Sequence, residues 1–158
     1  MPSRSTIAAM VAMFVLGVVS ASSASSAPHI DACSMLTQAQ VSAVLGVEVK
    51  AEHIVPSATN LCGWAPPGGP SINGKKLVLD FKTTQAFEIG KTPIKSMTKT
   101  PVSGIGDDAY YATARGLGTN LSVRKGDVAF NIALHGDFPV EQIKAKEKDL
   151  ALKILNKL

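Results

Sequence analysis

The sequence predicts an α+β domain: an antiparallel sheet of about six strands with helices packed on one face, in the order α-β-β-β-α-β-β-β-α. Three observations carry this. Residues 120–135, NLSVRKGDVAFNIALH, alternate strictly. Leu121, Val123, Val128, Phe130, Ile132 and Leu134 face one side, and Ala129, Asn131, Ala133 and His135 face the other, which is the pattern of a strand pair with one covered face. Lys125-Gly126-Asp127 supplies the hairpin turn, with glycine where a positive φ is needed. Leu77, Leu79 and Phe81 repeat the alternation, and Val140, Ile143, Leu150, Ala151, Ile154, Leu155 and Leu158 recur at helical spacing to form a closing helix.

The chain opens on Arg4, an uncharged apolar run from Ile7 to Val19 and small residues from Ser20 to Ala27. This is the layout of a cleavable secretory signal peptide, too short for a spanning helix. Residues 1–24 are assigned to it, with cleavage after Ala21 or Ala24 preferred over Ala27, which would leave Pro28 first; an uncleaved anchor is the competing reading. Residues 25–31 form a polar lead and residues 32–158 the domain, a length suited to one core. No later apolar run reaches membrane-spanning length, so no stable membrane anchor is expected after cleavage. The compartment follows: secreted or periplasmic.

Cys33 and Cys62 are the only two cysteines. An even count in an exported chain predicts a disulfide between them. The net charge of +4 is spread over dispersed lysines, which fits a solvated surface or contact with anionic envelope material and gives no nucleic-acid footprint.

Taken in order, Thr37 and Gln40 form a capping box that starts the first helix. Leu36 is placed to staple onto Val41, and Gly46 stops the helix. Val47 to Ile54 reads as the first strand, with Val47, Val49 and Ala51 on one face. Leu61 to Ala65 is the second, placing Cys62 and Trp64 on the same face. Trp64 is either a core residue beside the disulfide or an exposed aromatic platform. Pro66 to Lys75 is a Pro/Gly loop. The third strand, centred on Leu77 to Phe81, leads to a brief helix capped by Thr83 or Thr84 and ended by Gly90. Residues 91–103, basic and bearing two prolines, read as an exposed connection. Gly104-Ile105-Gly106-Asp107-Asp108 is a turn, and Ala109 to Ala114 the next strand, in which Tyr110 and Tyr111 must point to opposite faces.

These motifs resemble, in their order, an uncharacterised family of small bacterial secreted proteins and lipoproteins. Asp31-Ala32-Cys33 with Leu36-Thr37 matches its D-P-C-x-L-L-T start. Cys62-Gly63-Trp64 matches its C-x-W, and Gly104-Ile105-Gly106-Asp107-Asp108-Ala109 its G-x-G-D-x-A turn, ahead of the closing helix. Ala32 stands where the family has proline, and no lipidation site is present. The resemblance implies fold and compartment; it brings no activity with it.

The sequence lacks a G-x-S-x-G nucleophile elbow, a phosphate loop and a dinucleotide fingerprint. His29, His53 and His135 are widely separated and match no zinc spacing, so no metal site and no cofactor are expected. Asp107 and Asp108 are adjacent and read as turn caps. The candidate binding surface is Trp64, Tyr111, Arg124 and Lys125. The first functional expectation is a non-catalytic binding or accessory module of the cell envelope, with an envelope protein or small ligand as partner. Second is a structural or inhibitor-like protein acting on another exported protein through residues 66–75. Third is an enzyme whose site assembles only in three dimensions, for instance by gathering His53 or His135 with Asp107 or Asp108.

Overall fold

The computed structural model describes residues 29–68 and 74–158. The expected signal peptide, most of the lead and the middle of the Pro/Gly loop lie outside the described residues. The elements are α1 (Ala32–Met35), α2 (Gln38–Leu45), β1 (Lys50–His53), β2 (Leu61–Ala65), β3 (Lys76–Lys82), α3 (Thr84–Lys91), β4 (Met97–Pro101), β5 (Asp108–Ala114), β6 (Gly118–Lys125), β7 (Val128–His135) and α4 (Val140–Leu155). The seven strands form one antiparallel sheet in the order β1-β2-β3-β7-β6-β5-β4. The fold class is therefore as predicted, with one strand more. None of the described helices is long and apolar enough to cross a membrane.

The extra strand is β4, which lies in the stretch read as a connection. Its sequence, MTKTP, has no apolar alternation because it sits at the sheet edge and is largely exposed. Only its ladder with β5, from Met97 opposite Ala114 to Pro101 opposite Tyr110, reveals it. The first strand begins later than predicted. Val49 is buried, its N–H bonded to Ser42 Oγ at 3.2 Å, and Ala51 is exposed.

The inner face carries the main core. Alternation sends Cys62, Trp64, Leu77, Leu79, Phe81, Leu121, Val123, Phe130, Ile132 and Leu134 to it, where α1, α2 and α4 bury them. The capping box of Thr37 and Gln40 is present, Leu36 and Val41 join the same core, and Gly46 closes α2 at φ 67°.

The outer face is not uniformly wet, which corrects the one-covered-face expectation. Helix α3, capped by Thr83, lays Phe87 across Tyr110, Ala112 and Ala129 to make a second, smaller core. Both tyrosines are therefore buried, Tyr110 beneath α3 and Tyr111 beneath α4. Ala129, expected to face out, is 0% exposed.

Two turns are clipped together at one end of the sheet. Asp107 Oδ2 accepts from Gly126 N at 2.7 Å, and the Asp107 N–H donates to Arg124 O at 2.8 Å. The G-x-G-D turn thus holds the β6–β7 turn. Gly106, at φ 58°, is required there because a Cβ would collide with the Arg124 carbonyl.

Candidate functional site

Helix α3 covers the outer face only over its β4–β7 half. Over β1, β2 and β3 none of the described helices covers that face, which forms a cleft of about 520 Å³. The strand registers build it. Lys50 lies opposite Ala65, and Trp64 opposite Leu77. Continuing by one residue sets Lys76 across from Ala65, and Lys76 is itself opposite His135. A row of Lys50, Ala65, Lys76 and His135 therefore crosses four strands on one face. The two lysines flank a methyl group and stand two strand spacings apart, about 9–10 Å. The next row runs Glu52, Gly63, Val78 and Ala133.

Small side chains at Gly63 and Ala65 make the floor a trough. Ile54 leans over Gly63 and, with Pro66 and Pro67, walls it. The His135 imidazole, at the far end of the row, is held below its ordinary pKa by burial and then by the Lys76 ammonium. An apolar trough with two cations at one end and one carboxylate along it suits a ligand with an anionic head and an apolar body.

A second grouping lies on the inner side of the same edge. Asp31 caps α1, its Oδ1 accepting from Cys33 N at 2.9 Å. Cys33 is joined to Cys62 by the predicted disulfide. His53 sits directly opposite Cys62 in the β1–β2 ladder. Its Nδ1 is 3.7 Å from Cys33 Sγ, and its Nε2 is 3.7 Å from Asp31 Oδ1. Sequence reasoning missed this grouping because 20 residues separate Cys33 from His53. The available signal was the cross-strand pairing of His53 with Cys62, which required the β1–β2 register.

The predicted surface of Trp64, Tyr111, Arg124 and Lys125 does not assemble. Trp64 is 0% exposed beside the disulfide, so it presents no ring to a ligand. Tyr111 donates its hydroxyl to Lys144 O at 2.7 Å, and burial first, then nearby carboxylates led by Glu147, push its pKa up to about 12. Arg124 lies on the opposite face from Tyr111, 3.6 Å from Glu88 of α3. Lys125 donates to Leu155 O at 3.1 Å and closes the end of α4. Strand alternation, with α4 over one face and α3 over the other, dictates this dispersal.

Asp107 is committed to Gly126, and Asp108 pairs with Lys91 at 2.6 Å. Neither meets a histidine in the structure. Under α3, Lys82 Nζ lies 2.6 Å from Asn131 Oδ1 and 3.5 Å from Ser122 Oγ, and Ser122 also bonds Asn131. Desolvation pushes the Lys82 pKa down to about 8. A serine beside a depressed lysine resembles a nucleophile and its base. Ser122, however, is 1% exposed at mid-strand beneath the second core. The cluster satisfies polar groups buried between sheet and helix.

Fold and site together define a small α+β domain with a mixed-charge cleft on one half of an otherwise covered sheet face. Comparison with protein-family models, curated proteins and solved structures finds no match to this chain.

Proposed function

We propose that this chain is an exported, non-catalytic binding or accessory module of the bacterial cell envelope, and that its ligand seats in the outer-face cleft of β1–β3. The leader-like N-terminus and the Cys33–Cys62 disulfide support the compartment. The ordered motifs support membership in the family of small secreted proteins they resemble. The observation that carries the binding role is the placement of Lys50 and Lys76 on either side of Ala65, on a face that none of the described helices covers. The lysines take the carboxylate or phosphate of the ligand, the trough of Gly63, Ala65 and Val78 takes its apolar body, and Glu52 accepts a hydrogen bond from a donor further along.

The test is an amide-resolved NMR titration with hexanoate, hexyl phosphate and hexanol. Saturable shifts confined to Lys50, Glu52, Gly63, Ala65, Lys76 and Val78, seen with the two anions and lost in the Lys50→Ala/Lys76→Ala variant, support the reading. Hexanol matching the anions, or shifts centred outside the cleft, overturns it. The relative response to carboxylate and phosphate identifies the head group.

A further inference from the structure

The disulfide is set in surroundings that an inert crosslink does not require. Cys62 is fully buried, whereas Cys33 is partly exposed on the short α1. The His53 imidazole presents Nδ1 to Cys33 Sγ at 3.7 Å, while Asp31 Oδ1 stands 3.7 Å from the other ring nitrogen. Asp31 is itself fixed by its bond from the Cys33 N–H. Donor atoms of Asp31, Cys33 and His53 all lie within 4.8 Å of one another. The ladder adds Cys62, directly across from His53. The N-cap of α1, α1 itself and β1 thus bring a carboxylate, one sulfur and an imidazole together at the rim of the sheet, and the second sulfur, Cys62 on β2, is bonded to the first.

We infer that reduction of the Cys33–Cys62 disulfide converts this cluster into a zinc site, with Cys33 Sγ, Cys62 Sγ and His53 Nδ1 as ligands and Asp31 as the carboxylate that orients His53 through its Nε2–H. Two thiolates and one imidazole form a donor set that zinc takes in tetrahedral geometry with one position left to solvent. Zn–S bonds of about 2.3 Å and Zn–N bonds of about 2.0 Å place such donors roughly 3.3–3.8 Å apart. The Cys33–His53 separation already has that value. A carboxylate on the far nitrogen of a ligating histidine fixes its tautomer and raises its basicity. In the oxidised protein neither sulfur is a thiolate, and the metal has no anionic sulfur to bind. The cluster is therefore gated by redox state. It stands apart from the outer-face cleft and does not depend on it.

The reductant is a dithiol. One of its thiolates attacks the accessible Cys33 Sγ, the S–S bond breaks, and Cys62 leaves as a thiolate that takes up a proton. The second thiol of the reductant, as thiolate, then attacks the mixed disulfide, releasing Cys33 and closing the reductant into a cyclic disulfide. Two electrons and two protons pass to the protein. Zinc binding then releases both thiol protons.

The test compares oxidised protein with protein reduced by dithiothreitol and desalted under argon, each titrated with Zn2+ against a chromophoric chelator and with Co2+ by absorption. The expected result is one equivalent of tight binding in the reduced form, none at that affinity in the oxidised form, and Co2+ bands of a tetrahedral thiolate site. His53→Ala should weaken binding by about tenfold or more, and Asp31→Asn by about tenfold. Both side chains are substantially exposed, so these variants retain the oxidised fold, which is checked first. The near-ultraviolet signal of Trp64, packed beside Cys62, reports on folding of the reduced chain. If reduction unfolds the protein and zinc restores that signal, the inference holds. If zinc fails to restore it, or if binding by the reduced protein is indifferent to His53, the inference is overturned.

Discussion

Glu147 on α4 accepts a 3.0 Å hydrogen bond, through Oε1, from the backbone N–H of Leu134 on β7. The β6–β7 ladder ends at Leu121 opposite Ile132, so the N–H of Leu134 has no β6 partner to pair with. A carboxyl group from the helix takes the place of the missing strand. Glu147 is 0% exposed, its Oε2 has no hydrogen-bond partner among the described residues, and burial pushes its pKa up to about 8 against the opposing pull of the Leu134 N–H.

This relationship fixes a pH dependence. The folded pKa lies above the unfolded one, so between about pH 5 and 8 the folded chain binds more protons than the unfolded chain. Its stability falls as pH rises through that window. Glu147→Gln keeps the acceptor and removes the charge. Urea denaturation at pH 5 and pH 8 should show wild type losing on the order of a few kcal/mol relative to the variant. Parallel pH profiles for the two proteins would contradict a buried, neutral Glu147.

The disulfide closes a loop with a sequence separation of 29. Cys33→Ala/Cys62→Ala should cost about 3–4 kcal/mol on the chain-entropy account. The loss should appear as a lower denaturation midpoint with a larger urea dependence, because the unfolded chain expands.

Gly106 and Gly116 share a positive φ and differ in surroundings. A Cβ at Gly106 would strike the Arg124 carbonyl, whereas one at Gly116 would meet no atom of the described residues within 4 Å beyond its chain neighbours. Gly116→Ala should cost about 1 kcal/mol for its backbone conformation alone. Gly106→Ala should cost about 2–3 kcal/mol and loosen the clip between Asp107 and Gly126. Faster hydrogen exchange at the Gly126 amide checks the second effect.

Gly63 forms the floor of the cleft, and its backbone is not in the left-handed region. Gly63→Val should fill the trough, displace Ile54, which is half exposed, and leave the sheet intact because β-branched residues suit a strand. Thermal stability near wild type with loss of the hexanoate-induced shifts is the expected outcome; undiminished shifts would place the ligand elsewhere.

Much of the architecture was legible in the sequence. The β6–β7 hairpin, β3 and α2 each carry a local pattern that their packing satisfies: alternation from Leu121 to Leu134, alternation from Leu77 to Phe81, and the Thr37–Gln40 box. The hidden parts depend on partners distant in sequence. Strand β4 is polar because it is an edge, so only β5 defines it. Tyr110 is buried because α3, whose single buried residue is Phe87, folds back over it. In α4 the apolar stripe skips from Ile143 to Leu150, and the slot between them holds Glu147, a polar residue on the core face whose partner is a strand N–H. The cleft and the Cys33–His53 grouping were illegible for one shared reason. Both are products of the β1–β2–β3 register: the sequence places a strand between Val47 and Ile54, but the exposed Lys-Ala-Glu-His of β1 carries no pattern that says which β2 residue each of its residues faces.

The two outermost strands also bear on how the chain behaves when crowded with copies of itself. β1 is only four residues long and alternates Lys50 and Glu52 on its outer face; β4 carries Lys99 and terminates in Pro101, which offers no N–H. Short, charged or proline-ended borders are poor templates for another chain to extend by pairing backbone to backbone. Both rims of the sheet are thus poor templates for strand addition, through residues that contribute almost nothing to its core.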